Sequence, residues 1–404
     1  MKRVFLLTML LAGSGHVCAH SIPTEIGRPQ LDATLAVTAR TDGAVASDEY
    51  WRIPGVMMGG HAWPAQRGIS MDELSLSLAY RIDENLFAVI KAAQHDGHDD
   101  SPSIEHAWVG YVCCDSVGPL VIEAGRMSAA FTPSVSEHSG ARIFSDASLP
   151  ADAFLGRHFH DQGIRFWRHN PQALSFGMEL WQGDAFPASG DEDGGSADVF
   201  AFINHQRGRL SVQTGVWALF ARANERPDHR YTEDHTHGGI GAVPPPDVRF
   251  TGDSLLGGIH ALIGWQVRSD IRAALRMEWM QVEADGVIED ATRRATIDSQ
   301  YSGIVVQPEV TIGRHALALR AEQLVLDNHV TGAAALPLSE DANLINGHNP
   351  WRLGIGWRWQ WRDTFALRAD LTRDATLGDA ENRAAMGIVW HQPLTGQRRH
   401  QHNP

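Results

Sequence analysis

Lysine is almost missing from this 404-residue chain: only Lys2 and Lys91 occur, so arginine supplies nearly all of the positive charge. Cysteine is almost as scarce. Cys18 falls near the start, and Cys113 and Cys114 are neighbours, which excludes a disulfide framework and a CxxC zinc pattern. The adjacent pair leaves a vicinal disulfide, a soft copper(I) site and two incidental thiols open. No run of 18 apolar residues occurs beyond the first segment, so no membrane-spanning helix is expected. There is no positive excess either. Asp and Glu number 48 against 34 Lys and Arg, which argues against a nucleic-acid partner. Serines and histidines are plentiful, but no spacing pairs a nucleophile with a base, so the chain reads as a non-enzyme.

The first 19 residues have the form of a signal peptide. Lys2 and Arg3 form a basic start, Val4 to Ala12 a short apolar run, and Val17-Cys18-Ala19 a small-residue cleavage site. The leader would take two positive charges with it, leaving 32 Lys and Arg against 48 acids and a net charge of −16.

The dominant period in the remainder is two. Leu74, Leu76, Leu78 and Tyr80 alternate with Ser75, Ser77 and Ala79; Phe365, Leu367, Ala369 and Leu371 alternate with Ala366, Arg368 and Asp370. This is the pattern of strands with one apolar face. Sixteen segments show it, at about 31–42, 71–83, 86–96, 103–113, 118–129, 161–169, 173–184, 197–206, 209–223, 254–265, 271–284, 296–310, 315–327, 350–362, 365–374 and 382–391. The connections between them are expected to alternate long and short throughout. That rhythm predicts a 16-stranded antiparallel transmembrane β-barrel over residues 20–391, with long extracellular loops and short periplasmic turns, followed by a polar His-rich tail at 392–404. Its location would be the outer membrane of a Gram-negative bacterium, its partners membrane lipid and the barrel assembly machinery.

The stretch "WRLGIGWRWQWRD" (351–363) illustrates the two faces. Trp351, Leu353, Ile355, Trp357, Trp359 and Trp361 would meet lipid; Arg352, Arg358 and Arg362 would meet water or the barrel interior. The thirteen tryptophans are expected to face outward in the same way. The last aromatic residue, Trp390, is followed by "HQPLTGQRRHQHNP", so the chain does not end on the aromatic residue common in such barrels.

Sixteen strands and a long third loop at about 130–160 resemble general-porin architecture, in which that loop folds into the lumen as a constriction. Three stretches, "RIPGVMMGGHAWPAQRGISMDELSLSL" (52–78), "FLGRHFHDQGIRFWR" (154–168) and "ELWQGDAFPASG" (179–190), are similar to a little-characterised family of porin-like proteobacterial outer-membrane proteins sometimes associated with zinc-responsive genes. The resemblance implies a passive channel for small hydrophilic solutes or ions, a link to transition-metal (zinc) uptake, and a homotrimer of the porin kind. It transfers no catalytic residue. The alternative is a non-conducting barrel that binds metal or another ligand through its loops.

Alternation places Arg81, Lys91, Arg165, Arg272, Arg276, Arg320, Arg352, Arg358 and Arg368 on the lumen side, with Glu123, Glu179, Glu278, Glu322 and Asp370. Such a mildly basic wall would tune ion selectivity; the equal alternative is that inward arginines pair with inward glutamates and fill the barrel. The constriction loop offers Glu137, His138, Arg142, Asp146, Asp152, Arg157, His158 and His160. Histidine is abundant, at 21 residues. "HDGHDD" brings His95 and His98 beside Asp99, and "DHRYTEDHTHGG" brings His229, His235 and His237 beside Glu233. Imidazole and carboxylate together suit zinc or copper. No cofactor is required by the reading, and any Zn(II) or Cu at these loops would be labile.

Overall fold

The structure is a computed structural model and describes residues 22–23, 25–41, 51–64, 67–95, 102–113, 119–170, 173–188, 194–230, 246–345 and 347–395. The signal segment, residues 42–50, residues 96–101, Cys114, residues 231–245 and the tail beyond 395 lie outside these.

Each alternating segment forms a strand. They are β1 (Pro29–Arg40), β2 (Gly68–Arg81), β3 (Leu86–His95), β4 (Ser103–Cys113), β5 (Leu120–Ser128), β6 (His160–Arg168), β7 (Leu174–Trp181) and β8 (Gly195–Arg207) in the first half. The second half holds β9 (Leu210–Arg226), β10 (Arg249–Arg268), β11 (Ile271–Glu289), β12 (Arg294–Ile312), β13 (His315–Thr331), β14 (Trp351–Arg362), β15 (Phe365–Asp374) and β16 (Glu381–Pro393). Two short helices, α1 (Leu149–Leu155) and α2 (Ala335–Asp341), sit in loops. Every strand pairs antiparallel with its sequence neighbours, and β1 pairs with β16 from Asp32–Pro393 to Arg40–Ala385, closing the barrel. Closure leaves no strand edge with unpaired amides, the condition for a sheet to cross lipid.

The outer surface is apolar. Leu76, Val109, Ile164, Ile259, Leu319, Leu353, Ile355 and Leu371 project from it, all exposed. At the short-turn end aromatic rings form a girdle: His315 stacks on Trp357 and Trp359, and Trp361 meets Phe365 edge to face. A belt of this kind is what a bilayer-spanning barrel presents to lipid and headgroups.

Two expectations are corrected. The loops do not alternate long and short throughout. Strands β11 and β12 run 19 residues each and are joined at the long-loop end by residues 290–293 alone. A strand needs only about 9–11 residues to cross lipid, so this hairpin stands beyond the membrane as a projecting blade. Its register is unbroken from Ile271–Ile312 to Glu289–Arg294. Nor do the tryptophans all face lipid: Trp51, Trp108, Trp167, Trp181 and Trp217 are buried inside the barrel.

They are buried because the lumen is filled. Residues 51–64, between β1 and β2, and residues 129–159, between β5 and β6, turn inward. Trp51, Ile53, Val56 and Met58 from the first pack with Phe131, Val135, Leu149, Phe154, Leu155 and Phe159 from the second, against wall residues Phe87, Trp108, Trp167, Trp181, Phe200 and Trp217. A smaller apolar cluster at the long-loop end joins Leu338 and Ala342 of α2 and its margin to Phe250, Ile288 and Ile297 of the projecting strands. The first inserted segment is tied to that end: Gly55 N donates to Asn343 O at 2.8 Å, and Asn328 Nδ2 donates to Gly55 O at 2.9 Å.

Candidate functional site: the filled lumen

The inward residues of the strands meet polypeptide rather than open water, so of the two expectations it is the paired, filled interior and not the water-facing arginine wall that the structure favours. Arg165 and Arg368 are fully buried, and Arg320, Arg352, Glu278 and Glu322 nearly so. The reason is that the inserted loop brings its own partners. Arg368 Nη1 donates to Ser139 O at 2.6 Å, and its Nη2 donates to Thr38 Oγ1 and Asp72 Oδ2. Arg320 donates to Asp146 O, and Arg358 to the carbonyls of Gly140 and Arg142. Glu278 accepts from Thr132 and Ser134, Glu322 from Leu149 N, Asp370 from Ser145 N, and Glu137 pairs with Arg276 at 2.5 Å. The loop is thus held by wall side chains of β11, β13, β14 and β15 that bond its backbone and its own side chains.

The remaining inward candidates fall in three places. Arg165 bridges Glu123, at 2.7 Å, and Glu179, which also receives Ala130 N at the root of the loop. Arg81 and Arg272 lie at the short-turn ends of β2 and β11; Arg81 donates to the carbonyls of Pro23 and Asp83, so it braces a turn. Lys91 reaches Glu105 at 2.8 Å. Within the loop, Arg157 pairs with Asp152 at 2.8 Å and donates to Trp63 O, linking the two inserted segments. Arg142 is half-buried, and desolvation lowers its pKa to about 10. Burial acts to raise Asp146, but Arg383, Arg40, Arg352 and Arg320 outweigh it and hold the carboxyl well below its ordinary range. A small crevice of about 10 Å³, open to solvent, lies beside it between Arg40, Asp146, Asp370 and Arg383.

The histidines divide differently from expectation. His98, Asp99, Glu233, His235 and His237 lie outside the described residues, and His229 is exposed near the end of β9. His95 is described, at the end of β3. It faces the lumen, where its ring stacks on His138 at 5.6 Å and tilts against His158 at 5.8 Å. His160 stacks on His61 at 4.9 Å, joining the second inserted segment to the first. Burial lowers the pKa of His138 to about 4, and burial lowers His158 well below the usual imidazole value, so both rings are neutral at pH 7.

Several lumen groups escape simple alternation. Asp72 and Glu73 are consecutive yet both buried, as are Glu105 and His106. The register explains it. Val37 pairs with Met71 while Ala36 pairs with Glu73, and Ala92 pairs with Ile104 while Lys91 pairs with His106. Each strand carries one extra residue, a β-bulge, which lets two neighbours share a face. The sequence signal is a pair of adjacent polar residues, DE and EH, inside an otherwise alternating strand. Arg40, Asp374 and Arg383 were missed because they sit at the strand margins, where the alternating pattern fades.

No family model matches the chain, and no curated protein matches it. Solved structures do. An in-vitro folded outer membrane protein of Vibrio cholerae, OmpT in its trimer form, shares 10% identity and a TM-score of 0.53 over 91% of this chain and 100% of that one. The outer membrane channel DcaP of Acinetobacter baumannii shares 10% identity at 0.51, over 90% and 96%. An anion-selective porin from Comamonas acidovorans shares 10% identity at 0.50, over 90% and 99%. The fold is therefore that of a porin-type transmembrane barrel. This one carries a lumen packed by two of its own loops.

Proposed function

We propose that the chain is an outer-membrane channel of the porin type for small hydrophilic solutes or ions, held shut in this conformation by its inserted loops. The observation that carries the reading is the loop from 129 to 159 lying across a charged wall and held there by hydrogen bonds and ion pairs rather than by covalent links. The apolar belt, the closed sheet and the titles of the similar structures support an outer-membrane location in a Gram-negative bacterium and insertion by the barrel assembly machinery. The trimeric Vibrio cholerae protein supports a homotrimer in the same way.

The test is single-channel conductance in a planar bilayer. The intact protein should show rare or small openings, and a variant lacking residues 133–148 should show large, steady ones. A deletion variant that migrates as a folded barrel and passes no current would sink the channel reading. It would favour the second reading, a non-conducting barrel that binds a metal or other ligand, to which the apolar packing of the lumen also lends weight. Transition-metal uptake is the narrower form of the channel reading. Its support is the histidine-rich lumen, and reversal potentials in zinc gradients would test it.

A further inference from the structure

We propose that His95, Glu105 and His138 form a binding site for one divalent transition-metal ion, and that the ion latches the inserted loop to the barrel wall. The three come from three elements: the end of β3, the bulge of β4 and the loop. His95 Nε2 lies 3.4 Å and His138 Nδ1 3.7 Å from the same oxygen, Glu105 Oε1. One donor atom from each residue lies within 4.8 Å of the other two. Tetrahedral zinc, with N and O donors at about 2.0–2.2 Å, sets neighbouring donors about 3.4 Å apart, so small side-chain movements suffice to close the site.

Three further observations point to a cation. Both ring nitrogens of His138 are buried without a hydrogen-bond partner, a costly state for a polar group unless something binds it. His95 Nδ1 contacts Asp72 O at 3.4 Å, which leaves Nε2 aimed at Glu105. A carbonyl on the far nitrogen is the usual way a metal-binding imidazole is oriented. A second carboxylate, Glu73, faces the group, and Lys91 lies 2.8 Å from Glu105 Oε2 and 3.9 Å from Glu73 Oε1. Lys91 engages the Glu105 oxygen that the site does not use. Two more imidazoles face the group: His106, whose Nε2 is bonded to Ser128 Oγ, and His158, whose Nδ1 has no partner. His158, with its ring 5.2 Å from that of His138, is the natural fourth donor. Two imidazoles and a carboxylate favour zinc-like ions over calcium or magnesium.

The inference does not depend on conduction. It is tested on refolded full-length protein, stripped with chelator, desalted and titrated with Zn(II), and with Co(II) for its visible spectrum. The expected result is one tight equivalent per chain, a tetrahedral cobalt spectrum, and slower amide exchange over residues 137–142 when zinc is added. His138→Ala and Glu105→Gln should each weaken that site at least about tenfold, whereas replacing His229, His235 and His237 together should leave it unchanged. Gel mobility of unheated samples reports whether each variant is folded. A tight equivalent that survives in folded His138→Ala or Glu105→Gln, no tight equivalent in the intact protein, or zinc binding that leaves exchange at 137–142 unaltered would overturn the proposal.

Discussion

Arg165 shows what single side chains contribute inside this barrel. It is fully buried between two carboxylates and also reaches Ser128 O at the end of β5, so it ties β5, β6 and β7 together, and Glu179 in turn receives Ala130 N of the inserted loop. Removing one partner of a buried ion pair strands the other and costs about 3–5 kcal/mol. Arg165→Ala is therefore expected to lose that amount in reversible guanidinium unfolding in micelles. The triple variant Arg165→Met, Glu123→Gln, Glu179→Gln, which strands no charge, should stay closer to the parent. A single variant as stable as the parent would mean that the carboxylates find other cations. Arg165 was legible in the sequence because its strand alternates cleanly. Glu105 and His106 were not, because a bulge shifts the face by one residue and leaves no trace except two polar neighbours.

Among elements, the inserted segments matter most, and they meet at two glycines. Gly156 ends α1 with φ +59°, and Gly60 has φ +67°. A Cβ on either would lie 2.8 Å from the Cα of the other, and His61 N donates to Gly156 O at this crossing. Positive φ and backbone on both sides leave no room for a side chain. Gly156→Ala should separate the segments, cost about 1–3 kcal/mol and speed amide exchange at His61, while unheated samples still migrate as a barrel. Unchanged exchange at His61 would show that the crossing carries no strain. The sixteen strands were legible because a period of two survives even where boundaries blur. The filling of the lumen was half hidden. The apolar run IPGVMM (53–58) and the phenylalanines of 131–159 are signs of burial, yet they fall in connections, whose length speaks for the outside of a barrel.

At the scale of the whole molecule, lipid on one side and packed chain on the other decide which substitutions are tolerated. Ile355 is half exposed on the outer face of β14, between the girdle tryptophans and the long-loop end. Ile355→Arg should destabilise the barrel in vesicles by about 2–4 kcal/mol, the cost of a cation near the bilayer midplane. Ile312→Arg, at the short-turn end of β12, should cost less, since charge is tolerated near the interface. Equal costs would mean that the belt is misplaced along the strands. This outward pattern was plain from residues 351–363 alone. The interior was not, since an inward arginine looks the same in sequence whether it faces water or a loop.

The seam between β1 and β16 has a consequence for how such a molecule comes into being. Leu31 N bonds to Thr395 Oγ1 across 364 residues of sequence, and Leu394 N returns a bond to Leu31 O. The first strand has no second neighbour until the last one has been made. No growing chain can therefore be half finished and watertight. The ring can close only once β16 has been made, and the β1–β16 seam is therefore the last pairing for which both strands exist.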